Sequence, residues 1–399
     1  MENLPTELIE TILEFVDDTE SLKSCSLTGS LLRGPSQRIL LQTVAIGGDS
    51  DSKNHFLNML SFFETSPQVL RAIRVVSFIT PSPGLDIDPL QSEYLGILIA
   101  GFPNLRHLAI SGAGRQDGDV GWDTLAPGIR TSLEDTISHG IQEALHISTM
   151  VRIPIKILVK ALSCTKSVSF IEISVHNPDA PETQIHSEVP QLENLVLSNS
   201  AGVADVLRRP DVRPFISNVR RLWIGLELEL AHVVDYTAPK LDEVFFVSTD
   251  PVDESHLGHA LPFPQFPNLR FAGMRLFLGD YERLWIVDAM RAILASPIIE
   301  SILIDVSGVD LETLLPTLDS LADILGSPNI PLVRWLLYVD HEEDGGLGLL
   351  KEFGAAVERV LPKAHKAKRV IVDRAESHND GLFWPSGKVI MAMRLPEGE

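Results

Sequence analysis

Pro190-Gln191-Leu192-Glu193-Asn194-Leu195-Val196-Leu197 is one copy of a short template, Pro-x-Φ-x-x-Φ-x-Φ with Φ apolar, and this template decides how the chain reads. It returns in both directions. Upstream stands Pro103-Asn104-Leu105-Arg106-His107-Leu108-Ala109-Ile110. Downstream copies begin at Pro239, Pro267, Pro297 and Pro331, and copies without the proline start at Ile73, Val168, Val219 and, poorly, Ala367. The first apolar positions, 73, 105, 168, 192, 219, 241, 269, 299, 333 and 367, are separated by 32, 63, 24, 27, 22, 28, 30, 34 and 34 residues. The step of 63 spans two units, which predicts a hidden copy between Pro127 and Pro154.

Φ-x-x-Φ-x-Φ is a short strand with alternate residues turned inward. A preceding proline ends the previous element and forces an extended approach. Helical patterns lie between copies: residues 281–295, 311–325 and 349–361 each carry an apolar face at helical spacing. One strand and one helix cannot bury their apolar faces alone, so stacked neighbours must do so. The fold class expected is therefore α/β, a parallel sheet built by an irregular repeat. The plain alternative is an ordinary α/β domain with parallel strands.

The N-terminus follows another pattern. Leu8, Ile9, Ile12, Leu13 and Val16 form an amphipathic helical stripe after Leu4-Pro5-Thr6. Asp17-Asp18-Thr19 breaks it, Leu22, Cys25, Ser26 and Leu27 follow, and the run Ile39 to Ile46 closes the segment. By pattern alone these are small helices capping what comes after them. The residues Leu4-Pro5-x-Glu7-Leu8, Ile12-Leu13, Leu22-x-x-Cys25-Ser26-Leu27 and Leu40-Leu41-x-Thr43-Val44-x-Ile46 resemble the F-box found in the expanded F-box families of mushroom-forming fungi. The repeats, over roughly residues 65–375, resemble the irregular leucine-rich repeats of the same fungal proteins. They lack the Asn or Cys that regular leucine-rich repeats place after the third apolar residue.

The resemblance implies two parts, an F-box-like helical unit at residues 1–46 and a leucine-rich-repeat-like solenoid with a C-terminal cap at residues 47–399. It implies that Leu4, Pro5, Leu8, Ile9, Ile12, Leu13 and Leu27 form or support a face that docks the Skp-type adaptor of a cullin ubiquitin ligase. The repeats would then recruit a protein substrate whose identity the residues do not name. The family continues after Cys-Ser-Leu with a Val-Cys/Ser-Arg-x-Trp motif, whereas this chain reads Thr28-Gly29-Ser30-Leu31-Leu32-Arg33. A repeat scaffold that binds a partner without any ligase, with a degenerate F-box, is the alternative.

In a solenoid of this kind the third and fifth template positions point away from the helices. That places Arg221, Trp223, Glu243, Phe245 and Trp335 on an expected substrate face, rich in the residue types that dominate interface hot spots. The plain reading makes the same aromatics core.

Composition narrows the rest. With 33 Lys+Arg against 54 Asp+Glu the net charge is −21, which disfavours nucleic acid as a partner. One modest basic cluster, Lys363, Lys366, Lys368 and Arg369, stands apart. Two cysteines without a CxxC pair argue against a disulfide framework or a thiolate metal site. The opening MENLPTELIE has no basic start and no apolar core of a signal peptide, and no apolar run approaches a membrane span. A cytoplasmic or nuclear setting, with no membrane partner, is expected. Gly112-Ala113-Gly114 is a lone GxG, His256 and His259 lack a third ligand, and the acidic run Asp340–Asp344 has no calcium-loop spacing. No P-loop and no GxSxG occur. No catalytic residue, metal or cofactor is expected, and the protein is not expected to be an enzyme. An unrecognised α/β hydrolase or transferase is the remaining class.

Overall fold

The computed structural model describes residues 5–13, 16, 18–47, 52–80, 96–97, 101–112, 120–141, 143–176, 192–200, 202–225, 230–247, 263–276, 282–306, 311–338 and 345–375. The chain divides into two compact units, Met1–Lys166 with Ile173–Asn177, and Ser167–Glu172 with Pro178–Glu399.

The first unit opens with three helices, α1 (Thr6–Leu13), α2 (Thr19–Thr28) and α3 (Ser30–Leu40). Asp18 caps α2, its carboxylate accepting from the Glu20 amide at 3.2 Å and the Ser21 amide at 2.7 Å. The strands that follow are β1 (Thr43–Gly47), β2 (Val75–Ile79), β3 (His107–Ser111), β4 (Val120–Gly121), β5 (Ala144–Ser148), β6 (Met150–Val151), β7 (Ile153–Pro154) and β9 (Val175–His176). β1, β2, β3 and β5 pair side by side, all parallel, while β4 pairs with β6 and β7 with β9. Helices Pro127–Gly140 and Ile155–Cys164 belong to the same unit.

The second unit holds β8 (Ser167–Ile171), β10 (Asn194–Ser198), β11 (Arg221–Gly225), β12 (Glu243–Val247), β13 (Phe271–Leu276), β14 (Ser301–Val306), β15 (Leu332–Tyr338) and β16 (Val370–Ala375). Each is parallel to its neighbour. Helices Glu282–Leu294, Leu311–Leu325 and Gly345–Val360 fall where the apolar periodicity predicts them. The α/β class with a parallel, repeat-built sheet is thus observed.

Strand register sharpens the template. Leu195, Leu222 and Val244 are partners, as are Leu108 and Leu145. The hidden copy is β5, and its first position is Gln142, which hides it from an apolar search. Val168 pairs with Leu195, so the first apolar position there is occupied by Thr165. Val333 pairs with Ile302, so Ile330, not Val333, begins the last full copy. An additional copy, Leu41-x-x-Val44-x-Ile46, ends in β1, where Val44 faces Val76 and Ile46 faces Phe78. The run Ile39 to Ile46 is therefore helix end and first strand together.

A regular feature recurs at seven turns of the repeat. The residue before a strand and the first residue of that strand both donate amides to one carbonyl of the preceding copy. Arg74 and Val75 donate to Gln42, Arg106 and His107 to Arg74, and Glu143 and Ala144 to Arg106. Arg220 and Arg221 donate to Glu193, Asp242 and Glu243 to Arg220, Arg270 and Phe271 to Asp242, and Glu300 and Ser301 to Arg270. The Pro-Asn-Leu turns add a side-chain clamp. Asn104 Nδ2 donates to the Arg71 carbonyl and Asn268 Nδ2 to the Pro239 carbonyl, each at 2.7 Å. Where regular leucine-rich repeats use Asn or Cys after the strand, this chain uses hydroxyls: Ser148 Oγ donates to Ser111 Oγ at 3.2 Å, and Ser200 Oγ to the Phe170 carbonyl at 3.1 Å.

A histidine in β5 and a carboxylate on its approach give the first unit two groups whose pKa is lowered by folding. Burial pushes the His146 imidazole down to about 4. At Glu143 burial raises the pKa, but the hydrogen bond from His107 Nε2, at 2.9 Å, and the Arg106 charge outweigh it and hold the carboxyl below its usual range. Both groups have a folded pKa below the unfolded one. Their stabilisation is complete above the unfolded pKa and is lost as the pH falls: from about 6.5 towards 4 for His146, and at lower pH for Glu143. The urea midpoint is expected to drop between pH 7 and pH 4.5, and His146→Gln to flatten that segment. An unchanged slope in the variant would assign the acid response to other groups.

A candidate docking face on the N-terminal helices

Helix α1 is apolar on two sides. Ile9 and Leu13, four residues apart, are 3% and 4% exposed and pack with Leu22 of α2, with Val16, Cys25, Leu32, Ile39 and Leu40 around them. Leu8 and Ile12, also four apart, are 46% and 51% exposed. Leu27, next to the last residue of α2, is 80% exposed, and Leu31, in the first turn of α3, is 40% exposed. Pro5 is exposed as well, and Leu4 lies outside the described residues. Of the residues expected on an adaptor face, Pro5, Leu8, Ile12 and Leu27 are thus presented to solvent. Ile9 and Leu13 instead hold the helices together. Leu31 is the apolar residue that the motif did not single out.

The concentration is the informative fact. Seven large apolar side chains are exposed among the described residues, and four of them, Leu8, Ile12, Leu27 and Leu31, lie on α1–α3. Scattered exposed apolar side chains are ordinary, whereas four on one small helical unit make that unit the candidate docking face. The fold of the unit is held independently of them. Glu10 pairs with Arg38 between α1 and α3, Arg33 Nε donates to the Ser26 carbonyl at 3.4 Å, and the Asp18 cap fixes the start of α2. The Ser21 hydroxyl and the Ser21 and Glu20 amides hold the Asp18 carboxyl below the ordinary range. Gly29, between α2 and α3, has extended backbone and open space around it, so no local geometry demands glycine there.

Of the residues expected on a substrate face, four lie on the expected side of the strands, but Trp223, Glu243, Phe245 and Trp335 are buried. Trp223 and Phe245 do face the side of the strands opposite Leu222, Ile224, Val244 and Phe246. They are 3% and 1% exposed, however, and stack on one another at 4.1 Å with 21° between the rings. Val196 completes the cluster, with Ile171, Val247 and Leu303 against it. Arg221 and Glu243 stand in register on that side. Arg221 Nε lies 3.4 Å from Glu243 Oε1, and Glu243 is buried. Trp335 is on the opposite side altogether, because it pairs with Ile304. It is fully buried and meets Phe353 of helix Gly345–Val360 edge-on at 5.2 Å. The expected exposed aromatic column is therefore corrected to core: these rings offer no area to a partner in this state.

Charges mark the sheet where apolar pattern does not. Glu193, Arg220, Asp242, Arg270 and Glu300 occupy one repeat position with alternating sign, Arg270 meeting Glu300 at 2.5 Å and Arg220 meeting Asp242 at 3.7 Å. These pairs are about half exposed, so each contributes roughly 0–1 kcal/mol and serves register more than stability. Arg275 and Asp305 form a deeper pair at 2.7 Å.

Among the described residues no group of His, Cys, Asp and Glu is placed to hold a metal ion, and no helix is long and apolar enough to cross a membrane. His256, His259 and the Asp340–Asp344 run lie outside the described residues. No family model matches the chain, and no curated protein matches it either.

Proposed function

We propose that the protein is a substrate-recruiting adaptor of a cullin-type ubiquitin ligase. In this reading Leu8, Ile12, Leu27 and Leu31 dock a Skp-type adaptor and the repeats hold a protein substrate. The observation that carries it is the solvent-facing apolar quartet on α1–α3, on a unit whose own packing uses Ile9, Leu13 and Leu22 instead. The helices thus have apolar surface to spare, which is what a docking helix requires. The role is one of proximity, with no chemistry assigned to this chain. The second reading, a repeat scaffold with a degenerate F-box and no ligase, is favoured by the Thr28–Arg33 stretch, which lacks the family's tryptophan.

The test is capture of purified Skp-type adaptor by the full chain and by the Leu8→Asp/Ile12→Asp variant. Both positions are exposed, so the fold is expected to survive the change. The full chain is expected to retain the adaptor, and the variant to lose it by about tenfold or more. Absence of capture by the unaltered chain would remove the ligase and leave the scaffold.

A further inference from the structure

The chain carries 54 acidic residues against 33 Lys+Arg, yet residues 359–369 contain five cations and no carboxylate: Arg359, Lys363, Lys366, Lys368 and Arg369. All five are exposed. Among the described residues none of them has an ion-pair partner, in contrast to Arg106, Arg220, Arg270, Arg275 and Arg334, each of which meets a carboxylate. Of the carboxylates beside the run, Asp373 on β16 is engaged by Arg334 at 3.1 Å, and exposed Glu358 directly precedes Arg359, outside the four-residue cluster Lys363, Lys366, Lys368 and Arg369.

The cations sit on a fixed frame. The short helix Pro362–Lys366 is pinned by buried Ala364. Its last turn closes through the amides of His365, Ala367, Lys368 and Arg369, which donate to the carbonyls of Leu361, Lys363, His365 and Ala364 at 2.9 to 3.1 Å. Lys368 has φ +55°, the left-handed region that glycine or asparagine adopts at less cost. A lysine held there keeps a charge at the expense of backbone comfort.

We propose that this turn is a docking site for a carboxylate-rich segment of a partner protein. The site is formed by Lys363, Lys366, Lys368 and Arg369. Three are lysines, point charges on flexible stems that suit a run of carboxylates without one fixed geometry. The overall charge of −21 works against nucleic acid and anionic membrane, whose fields extend over many charges. A short acidic peptide engages the local turn within a Debye length and is spared most of that repulsion. The site stands whether or not the N-terminal helices dock an adaptor.

The experiment is fluorescence anisotropy of labelled octaglutamate with the full chain, at about 50 mM and about 300 mM NaCl. Single-stranded DNA and anionic phospholipid vesicles are the competing probes. Octaglutamate is expected to bind at low salt and weaken at high salt. Lys363→Glu/Lys366→Glu/Lys368→Glu is expected to weaken it at least about tenfold. Lys366→Glu alone gives a smaller loss in the same direction, and exposed Arg71→Glu, an equal charge reversal in the other unit, leaves binding unchanged. The proposal is overturned if octaglutamate does not bind at low salt. It is equally overturned if the reversed variants, folded by circular dichroism, bind like the unaltered chain, or if DNA or vesicles bind more tightly than the peptide. No adaptor is present, so this outcome is separate from the ligase test.

Discussion

Trp223→Ala is expected to lower the unfolding free energy by about 3–5 kcal/mol, read from urea denaturation followed by circular dichroism. The indole is 3% exposed and lies flat against Phe245, with Val196, Ile171, Val247 and Leu303 completing its surroundings. Truncation removes that burial and leaves a cavity walled by strands whose backbone is fixed by ladder bonds on both sides. Such walls relax little, which places the cost in the upper part of the range for large-to-small changes. Trp223→Phe keeps most of the volume and costs less. In the double variant with Phe245→Ala the two losses are expected to fall short of additivity by about 0.5–1.5 kcal/mol, the worth of the stacked pair. A near-neutral Trp223→Ala would contradict the core assignment and return this face to the partner-binding surfaces.

Gly112→Ala is expected to cost about 2–4 kcal/mol by the same measurement. A Cβ at Gly112 would stand 2.0 Å from the Thr149 carbonyl oxygen and 3.0 Å from its carbon. Both are backbone atoms, so no side chain can swing away. The contact is locked from both sides: the Gly112 amide donates to the Ser148 carbonyl at 3.0 Å, and Thr149 Oγ1 donates to the Gly112 carbonyl at 3.0 Å. Thr149 itself has φ +51°, so its backbone has little freedom to retreat. Accommodation must part the ends of β3 and β5. Retention of the unaltered urea midpoint by Gly112→Ala would show that this approach is looser than the geometry gives.

How much of this was legible follows from what the pattern can carry. Alternation at Leu195, Leu197, Leu222 and Ile224 announces strands, and the proline ahead of several copies announces their spacing. The same alternation names an inward and an outward face only when one face is polar. Here Val196, Trp223 and Phe245 are as buried as Leu195, Leu222 and Val244, so period two identifies the strands and is silent about which aromatics meet solvent. Trp335 misled through a proline. Pro331 sits three positions late relative to the other copies, and the true first position is Ile330. The hidden copy was masked by Gln142, and the first by the helical company of Leu41. On α1, Leu8 and Ile12 have the same spacing as Ile9 and Leu13. Only tertiary packing against Leu22 chooses which pair is spent on the fold and which remains outside.

Pro331 has a further consequence. At seven junctions two amides converge on one carbonyl of the preceding copy, but proline has no amide to give, so Leu332 alone reaches the Glu300 carbonyl, at 3.2 Å. The junction lacks one hydrogen bond, about 0.5–1.5 kcal/mol of coupling. In a linear array whose cohesion is a sum of nearest-neighbour terms, parting β14 from β15 costs that much less than it would with an amide-bearing residue at 331. Amide exchange in β15 is the measurement that reads the difference.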